Sequence, residues 1–68
     1  MNMDATHVLR HVRTELEKIR ADQAEFIASG RVVDFAEYRH VCGVLRGLDR
    51  ANELVTDLAK KMELSDDD

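Results

Sequence analysis

Apolar residues recur through the first half of the chain at alternating spacings of three and four, the repeat of a helix that packs on another helix. The residues on this stripe are Leu9, Val12, Leu16, Ile19, Gln23 and Phe26. Asp4 or Thr6 can cap the start of the helix, and Gly30 can end it in the left-handed conformation. The pattern therefore predicts a first helix over residues 4–29.

A second and longer stripe of the same spacing follows a short connection at residues 30–33. Its members are Tyr38, Val41, Leu45, Leu48, Asn52, Val55, Ala59 and Met62. A connection this short between long helices favours antiparallel neighbours. The sequence therefore predicts an all-α fold, an antiparallel two-helix hairpin with a coiled-coil-like seam. Its second helix covers residues 34–64, and an acidic tail covers residues 65–68.

The start of the second helix carries the clearest local signal in the chain. Asp34 precedes the helix as its N-cap, and Glu37 lies three residues later, which is the spacing of a capping box. Val33 and Tyr38 are placed to form the hydrophobic staple that accompanies such a box. We expect these residues to set where the helix begins.

The second helix has a further apolar stripe that the first helix lacks. Two glycines lie four residues apart within it, and each costs about 1 kcal/mol relative to alanine in a helix interior. Close approach by another helix is the usual compensation, and the alternative is a local kink or tolerance on an exposed surface. We therefore predict a protein interface along this stripe. Its residues are Gly43, Val44, Gly47, Ala51, Leu54 and Leu58.

Each of the two seams is interrupted by one polar residue, Gln23 in the first helix and Asn52 in the second. A hairpin that turns near residue 32 sets Gln23 opposite about residue 41 and Asn52 opposite about residue 12, so the two do not pair with each other. A polar seam residue commonly specifies register or oligomeric state at some cost in stability. We expect each of them to find another partner.

Length and charge narrow the class of protein. A chain of 68 residues forms one small domain, which buries only about 60% of its unfolded surface. A single cysteine excludes a disulfide framework, so self-association or docking is the expected source of further stability, and we predict a homo-oligomer. The net charge of −4 argues against nucleic-acid binding. The sequence has no apolar run long enough for a membrane span and no signal-peptide core, which predicts a soluble intracellular protein.

Candidate chemical groups are few. His7 and His11 have the spacing of two metal ligands on one helix face, but the glutamate of a zincin motif and a third ligand are missing. His40 and Cys42 point to different helix faces, and Cys42 beside Val41 is typical of a small buried apolar residue. We therefore predict no catalytic, cofactor-binding or metal site, and no enzyme activity.

Three segments of the second helix carry a resemblance to a known group of proteins. They are the D-F-A-E-Y segment at Asp34–Tyr38, the G-V-L-R-G-L segment at Gly43–Leu48, and the D-L pair at Asp57–Leu58 before the acidic end. The chain resembles small acidic helical accessory proteins of tailed bacteriophages, which are encoded among the head and packaging genes. The resemblance implies a phage-encoded component of the virion or of head assembly, located in the host cytoplasm during infection or in the virion.

The leading hypothesis is a structural interaction module, a hairpin that self-associates or docks on a larger phage assembly through its second helix. The alternative is a small regulator that binds and inhibits a host or phage enzyme by presenting an acidic helix surface. A DNA-binding regulator is disfavoured by the charge.

Overall fold

Two helices joined by a short turn make up the described part of the chain. The computed structural model describes the backbone of residues 4–66 and the side chains of residues 4–63. Helix α1 covers Ala5–Ala28 and helix α2 covers Phe35–Asp66, and residues 4–66 contain no strand. The two helices pack against each other. The described chain is therefore an all-helical hairpin, as the apolar spacing predicted.

Polar groups at the ends of α1 satisfy its free backbone atoms. The Asp4 carboxylate accepts a hydrogen bond from the His7 amide at 2.8 Å, so Asp4 rather than Thr6 is the N-cap. At the other end the Ser29 amide donates to the Glu25 carbonyl. Gly30 follows with φ of +78°, a conformation that glycine adopts without a steric penalty. The chain thus leaves α1 through the glycine that the sequence marked as its stop.

Side-chain hydrogen bonds and a cation–π contact stabilise the turn. The Ser29 hydroxyl donates to the Phe26 carbonyl at 2.8 Å, and Arg31 Nε donates to the Ser29 hydroxyl at 2.8 Å. The Arg31 guanidinium lies over the Phe26 ring, 5.3 Å from its centroid. A cation at this distance from an aromatic face is attracted to it. These contacts set the direction in which the chain returns toward α1.

The start of α2 forms half of the predicted capping box. The Glu37 amide donates to the Asp34 carboxylate at 2.8 Å, whereas the reverse bond from the Asp34 amide to the Glu37 carboxylate is not formed between these two described residues. Val33 remains 78% exposed. Tyr38 instead stacks on Phe35, with ring centroids 6.2 Å apart. The aromatic contact therefore takes the place expected for a Val33–Tyr38 staple.

Helix α2 continues to Asp66, two residues beyond the end expected from its acidic terminus. Negative charge near a helix C-terminus is unfavourable by only about 0.3–1 kcal/mol. Residues 65 and 66 of the predicted acidic tail therefore belong to the helix backbone. The rest of that tail, residues 67–68, lies outside the described residues.

The core of the hairpin is thin. Val41 is its one buried apolar residue within residues 4–63, with 4% of its surface exposed. The rest of the predicted seam of α2 is half-buried apart from Tyr38, which is 44% exposed, and Val12 and Ile19 of α1 keep 37% and 47% of their surface exposed. The packed face of α1 therefore centres nearer to Leu9 and Leu16 than the apolar stripe predicted. A single partner helix leaves the flanks of that stripe open to water.

We expect Asp34→Ala to lower the free energy of unfolding by about 1 kcal/mol, because the Glu37 amide loses its acceptor. Urea denaturation followed by circular dichroism measures this. Asp22→Ala is the matched control: Asp22 is an exposed aspartate within α1, and alanine is the better helix former there. Equal losses in the two variants would show that the cap contributes nothing.

Candidate protein-interaction face

The predicted interface residues form one uncovered side of α2, here called the second face of α2. Leu54 and Leu58 expose 66% and 49% of their surface. Both glycines of the stripe are also exposed. Val44 and Ala51 are half-buried, since they border the side that packs on α1. The second face comprises Gly43, Val44, Gly47, Ala51, Leu54 and Leu58.

The mid-helix glycines are not explained by contacts inside the hairpin. A Cβ atom built on Gly43 or on Gly47 meets no atom of residues 4–63 within 4 Å, apart from its chain neighbours and the surrounding backbone of α2 itself. Neither glycine has a positive φ, so neither is required by its own backbone conformation. The close helix approach that would compensate for two glycines is therefore not made by α1. Any such approach has to come from outside the hairpin.

Four charged side chains border the second face along one edge of α2. In order they are Arg46, Arg50, Glu53 and Asp57, and all four are exposed. We call this edge the charged rim. The two arginines lie four residues apart, and so do the two acidic residues. Like charges at this spacing destabilise a single helix. None of the ion pairs formed within residues 4–63 involves a residue of the rim.

The predicted polar seam residues do not meet. Gln23 and Asn52 are both half-buried, and the Asn52 Oδ1 atom is buried without a hydrogen-bond partner among residues 4–63. Arg20 pairs with Asp49, so Gln23 lies on the turn side of that contact and Asn52 on the far side. A turn at residue 32 predicted that Gln23 lies opposite about residue 41. The Arg20–Asp49 pair instead places Gln23 opposite residues of α2 that come later in the chain than position 41.

Among the side chains of residues 4–63, the Arg20–Asp49 pair is the polar contact that joins the two helices. Arg20 Nε donates to Asp49 Oδ1, and Nη2 reaches Oδ2 at 3.4 Å, so the guanidinium meets the carboxylate as a fork. The hydrogen bond from Arg20 holds the pKa of Asp49 below its ordinary value, and the same bond raises the pKa of Arg20. Sequence reasoning missed this pair, because both residues sit among charges that suit a solvated face. Residues so far apart in the chain carry no local signal of their contact.

An open groove lies between the start of α1 and the end of α2. It is lined by Thr6, Leu9 and Arg13 from one helix and by Val55 and Ala59 from the other. Its volume of about 200 Å³ is below the roughly 300–1,000 Å³ of typical small-molecule pockets. The groove therefore does not have the size of a substrate site.

The other chemical candidates of the sequence remain separate side chains. His7 and His11 are exposed, and Cys42 is half-buried as a free thiol. Within the part of the chain that the structure describes, no three histidine, cysteine or acidic residues are grouped closely enough to hold a metal ion. Over the same residues, neither helix combines the length and the apolar character of a membrane span.

Comparisons with protein-family models, with curated proteins and with solved structures find no match to this chain. The resemblance to phage accessory proteins thus remains a prediction from the sequence motifs alone. The exposed second face and the charged rim of α2 are the structural observations that bear on function.

We expect Asn52→Leu to raise the free energy of unfolding by about 1 kcal/mol or more, because a buried acceptor without a partner costs roughly 1–3 kcal/mol. Thermal and urea denaturation measure it. Gln23→Leu, at the other polar seam position, is the control and should change stability less. A loss of stability in Asn52→Leu would mean that its amide is satisfied by a group outside the described chain.

Asp49→Asn should remove an acid-sensitive part of the stability. The folded-state pKa of Asp49 lies below its unfolded value of about 3.9, so the ionised group stabilises the fold above that pH. This contribution is lost as the pH falls through the lower folded-state pKa. The wild type should therefore melt at a higher Tm than Asp49→Asn at pH 7, and the two should converge at acid pH. Arg20→Gln should behave like Asp49→Asn, and a Tm difference that persists unchanged in acid would contradict the assignment.

Proposed function

We propose that this protein is a non-enzymatic interaction module, a helical hairpin that self-associates or docks on a larger assembly through the second face of α2. The observation that carries the proposal is that Leu54 and Leu58 are exposed on the same side of α2 as two glycines whose Cβ positions have no contact with α1 among the described residues. A helix surface that is apolar and also lacks side-chain bulk suits close contact with another helix. We also propose that α1 and α2 run antiparallel and pack along a coiled-coil-like seam.

The energetics of the hairpin favour a partner. Burying a leucine side chain fully is worth roughly 1.5–3 kcal/mol, and Leu54 and Leu58 still expose 66% and 49% of their surface in the hairpin alone. Covering the second face would bury the rest of these two side chains. A partner therefore supplies stability that the two helices lack.

We further propose that the assembly is a phage one, at the virion or during head assembly. The support is the resemblance of the sequence, which rests on the segments Asp34–Tyr38, Gly43–Leu48 and Asp57–Leu58. Two of these three segments coincide with parts of the second face and the charged rim. Gly43, Gly47 and Asp57 thus belong both to the segments that carry the resemblance and to the surface that faces away from α1.

A second candidate function is a small regulator that binds an enzyme through acidic helix surface. The observation in its favour is the pair of exposed acidic residues Glu53 and Asp57, neither of which makes an ion pair within the described chain. A regulator of this kind would recognise a basic surface. The apolar leucines beside these carboxylates favour the interaction module instead.

Affinity capture from infected cells tests the proposal. The tagged protein should capture capsid, portal or other head components, and Leu54→Ser combined with Leu58→Ser should reduce that capture at least about tenfold, because two apolar anchors are removed. Circular dichroism should show that the variant keeps its helicity, since both side chains are exposed in the hairpin.

The matched control for this experiment is Val33→Ser combined with Phe35→Ser. These residues expose 78% and 70% of their surface, but Val33 lies in the turn and Phe35 at the first position of α2, away from the second face. Capture should survive in the control. Unchanged capture by the Leu54 and Leu58 variant would reject the face, and capture of a single soluble enzyme would favour the regulator.

A further inference from the structure

We propose that the partner on the second face of α2 is a second copy of this chain, packed antiparallel about a twofold axis near Ala51. The inference rests on the proposed interaction function and names its occupant. Two properties of α2 support a second copy as the partner. They are the order of small and large residues on the second face, and the order of charges along the charged rim.

The second face is divided into a small half and a large half. Gly43 and Gly47 lie toward the start of α2, and Leu54 and Leu58 lie toward its end. An antiparallel copy places each leucine pair over the glycines of the other helix, where nothing stands within 4 Å of a Cβ position. A parallel copy would set leucine against leucine and leave a gap between the glycines. Shape therefore favours the antiparallel arrangement.

The charged rim is divided in the same sense. Arg46 and Arg50 lie on the small half, and Glu53 and Asp57 lie on the large half. With the axis between positions 51 and 52, Arg46 faces Asp57 of the other copy and Arg50 faces Glu53. Twofold symmetry forms each pair twice. The like charges that repel within one helix thus become opposite charges between two.

Shape and charge point to the same register. In it, Leu54 falls between Gly47 and Ala51 of the other copy, and the four rim pairs form without any shift along the helix. A surface that is complementary to itself in both respects fits a second copy better than an unrelated partner, because an isologous contact requires this self-complementarity. Charge pairing across the rim also fixes the orientation of the two helices.

The size of the contact sets the expected affinity. Residues 43–58 extend over about 24 Å of helix at 1.5 Å per residue. A single helix face of this length buries less than the roughly 800 Å² that each partner buries in a standard interface. We therefore expect a dimer that dissociates in the micromolar range. Sedimentation equilibrium should show the mass rise from 7.8 kDa to twice that value over this range.

Charge exchange tests the orientation. Asp57→Arg alone and Arg46→Asp alone should each weaken the dimer on the order of tenfold, because each places like charges together at two symmetric sites. The double variant should return to within about threefold of the wild type, since the pairs are restored in reverse. Asp22→Arg, on the exposed surface of α1, is the control and should leave the mass unchanged. Additive weakening in the double variant would overturn the pairing.

Cysteine cross-linking tests the axis. In a Cys42→Ala background, Ala51→Cys should form a disulfide-linked dimer under mild oxidation, because residues beside a twofold axis approach their own copies. Gly47→Cys should not, since an antiparallel copy carries its position 47 away along the helix. A parallel dimer would link through both positions. Cross-linking through Gly47→Cys would therefore overturn the arrangement.

The outcome also separates this inference from the proposed function. A protein that stays at 7.8 kDa throughout the micromolar range, while Leu54 and Leu58 are still needed for capture, would overturn self-pairing and keep the interaction module. Loss of both behaviours would reject the two together. Gly47→Leu adds a steric check: leucine fits the isolated hairpin, so its circular dichroism should be retained while the dimer dissociates.

Discussion

Two packed helices can cover only one side of each other, and this constraint explains most of the structure. The line of contact between them buries Val41 and leaves most of the α2 seam half-buried. Val12 and Ile19, on the flank of the α1 stripe, keep much of their surface in water for the same reason. The second face of α2 is the largest consequence. It carries leucines that a globular domain would bury, and the hairpin has no third element to bury them.

A thin core makes local polar contacts important for defining the hairpin. Asp4 and Asp34 each accept a backbone amide at the start of a helix, and Gly30 provides the positive φ at which the chain leaves α1. Each such cap is worth on the order of 1 kcal/mol, a large share of the stability that so small a domain can reach. The Arg20–Asp49 fork then ties the helices at a defined register. Its two side chains are about half exposed, so solvent weakens the attraction while geometry still makes it specific.

Several features of α2 have no role in the packing of the hairpin itself. Within residues 4–63, the Cβ positions of the two glycines have no close neighbour outside α2, the rim residues form no ion pair, and the Asn52 oxygen lacks a donor. Natural sequences are otherwise consistent from local propensity to packing, and departures from that consistency tend to mark functional sites. The glycines and the rim share one side of α2, which is why we assign the interaction to that side. Asn52 faces α1 and belongs to the seam, so its oxygen bears on stability and register instead.

The sequence by itself determined the two helices, their caps and the turn, because these depend on residues within a few positions of one another. The three-and-four spacing, the aspartates before each helix and Gly30 all act locally and were readable along the chain. It also indicated that α2 has more apolar surface than one partner can cover. The tertiary structure decided which side of α1 is packed, the aromatic contact at the start of α2, and the Arg20–Asp49 pair. Those outcomes depend on the rotation and register of one helix against the other. Spacing within a single helix carries no information about either.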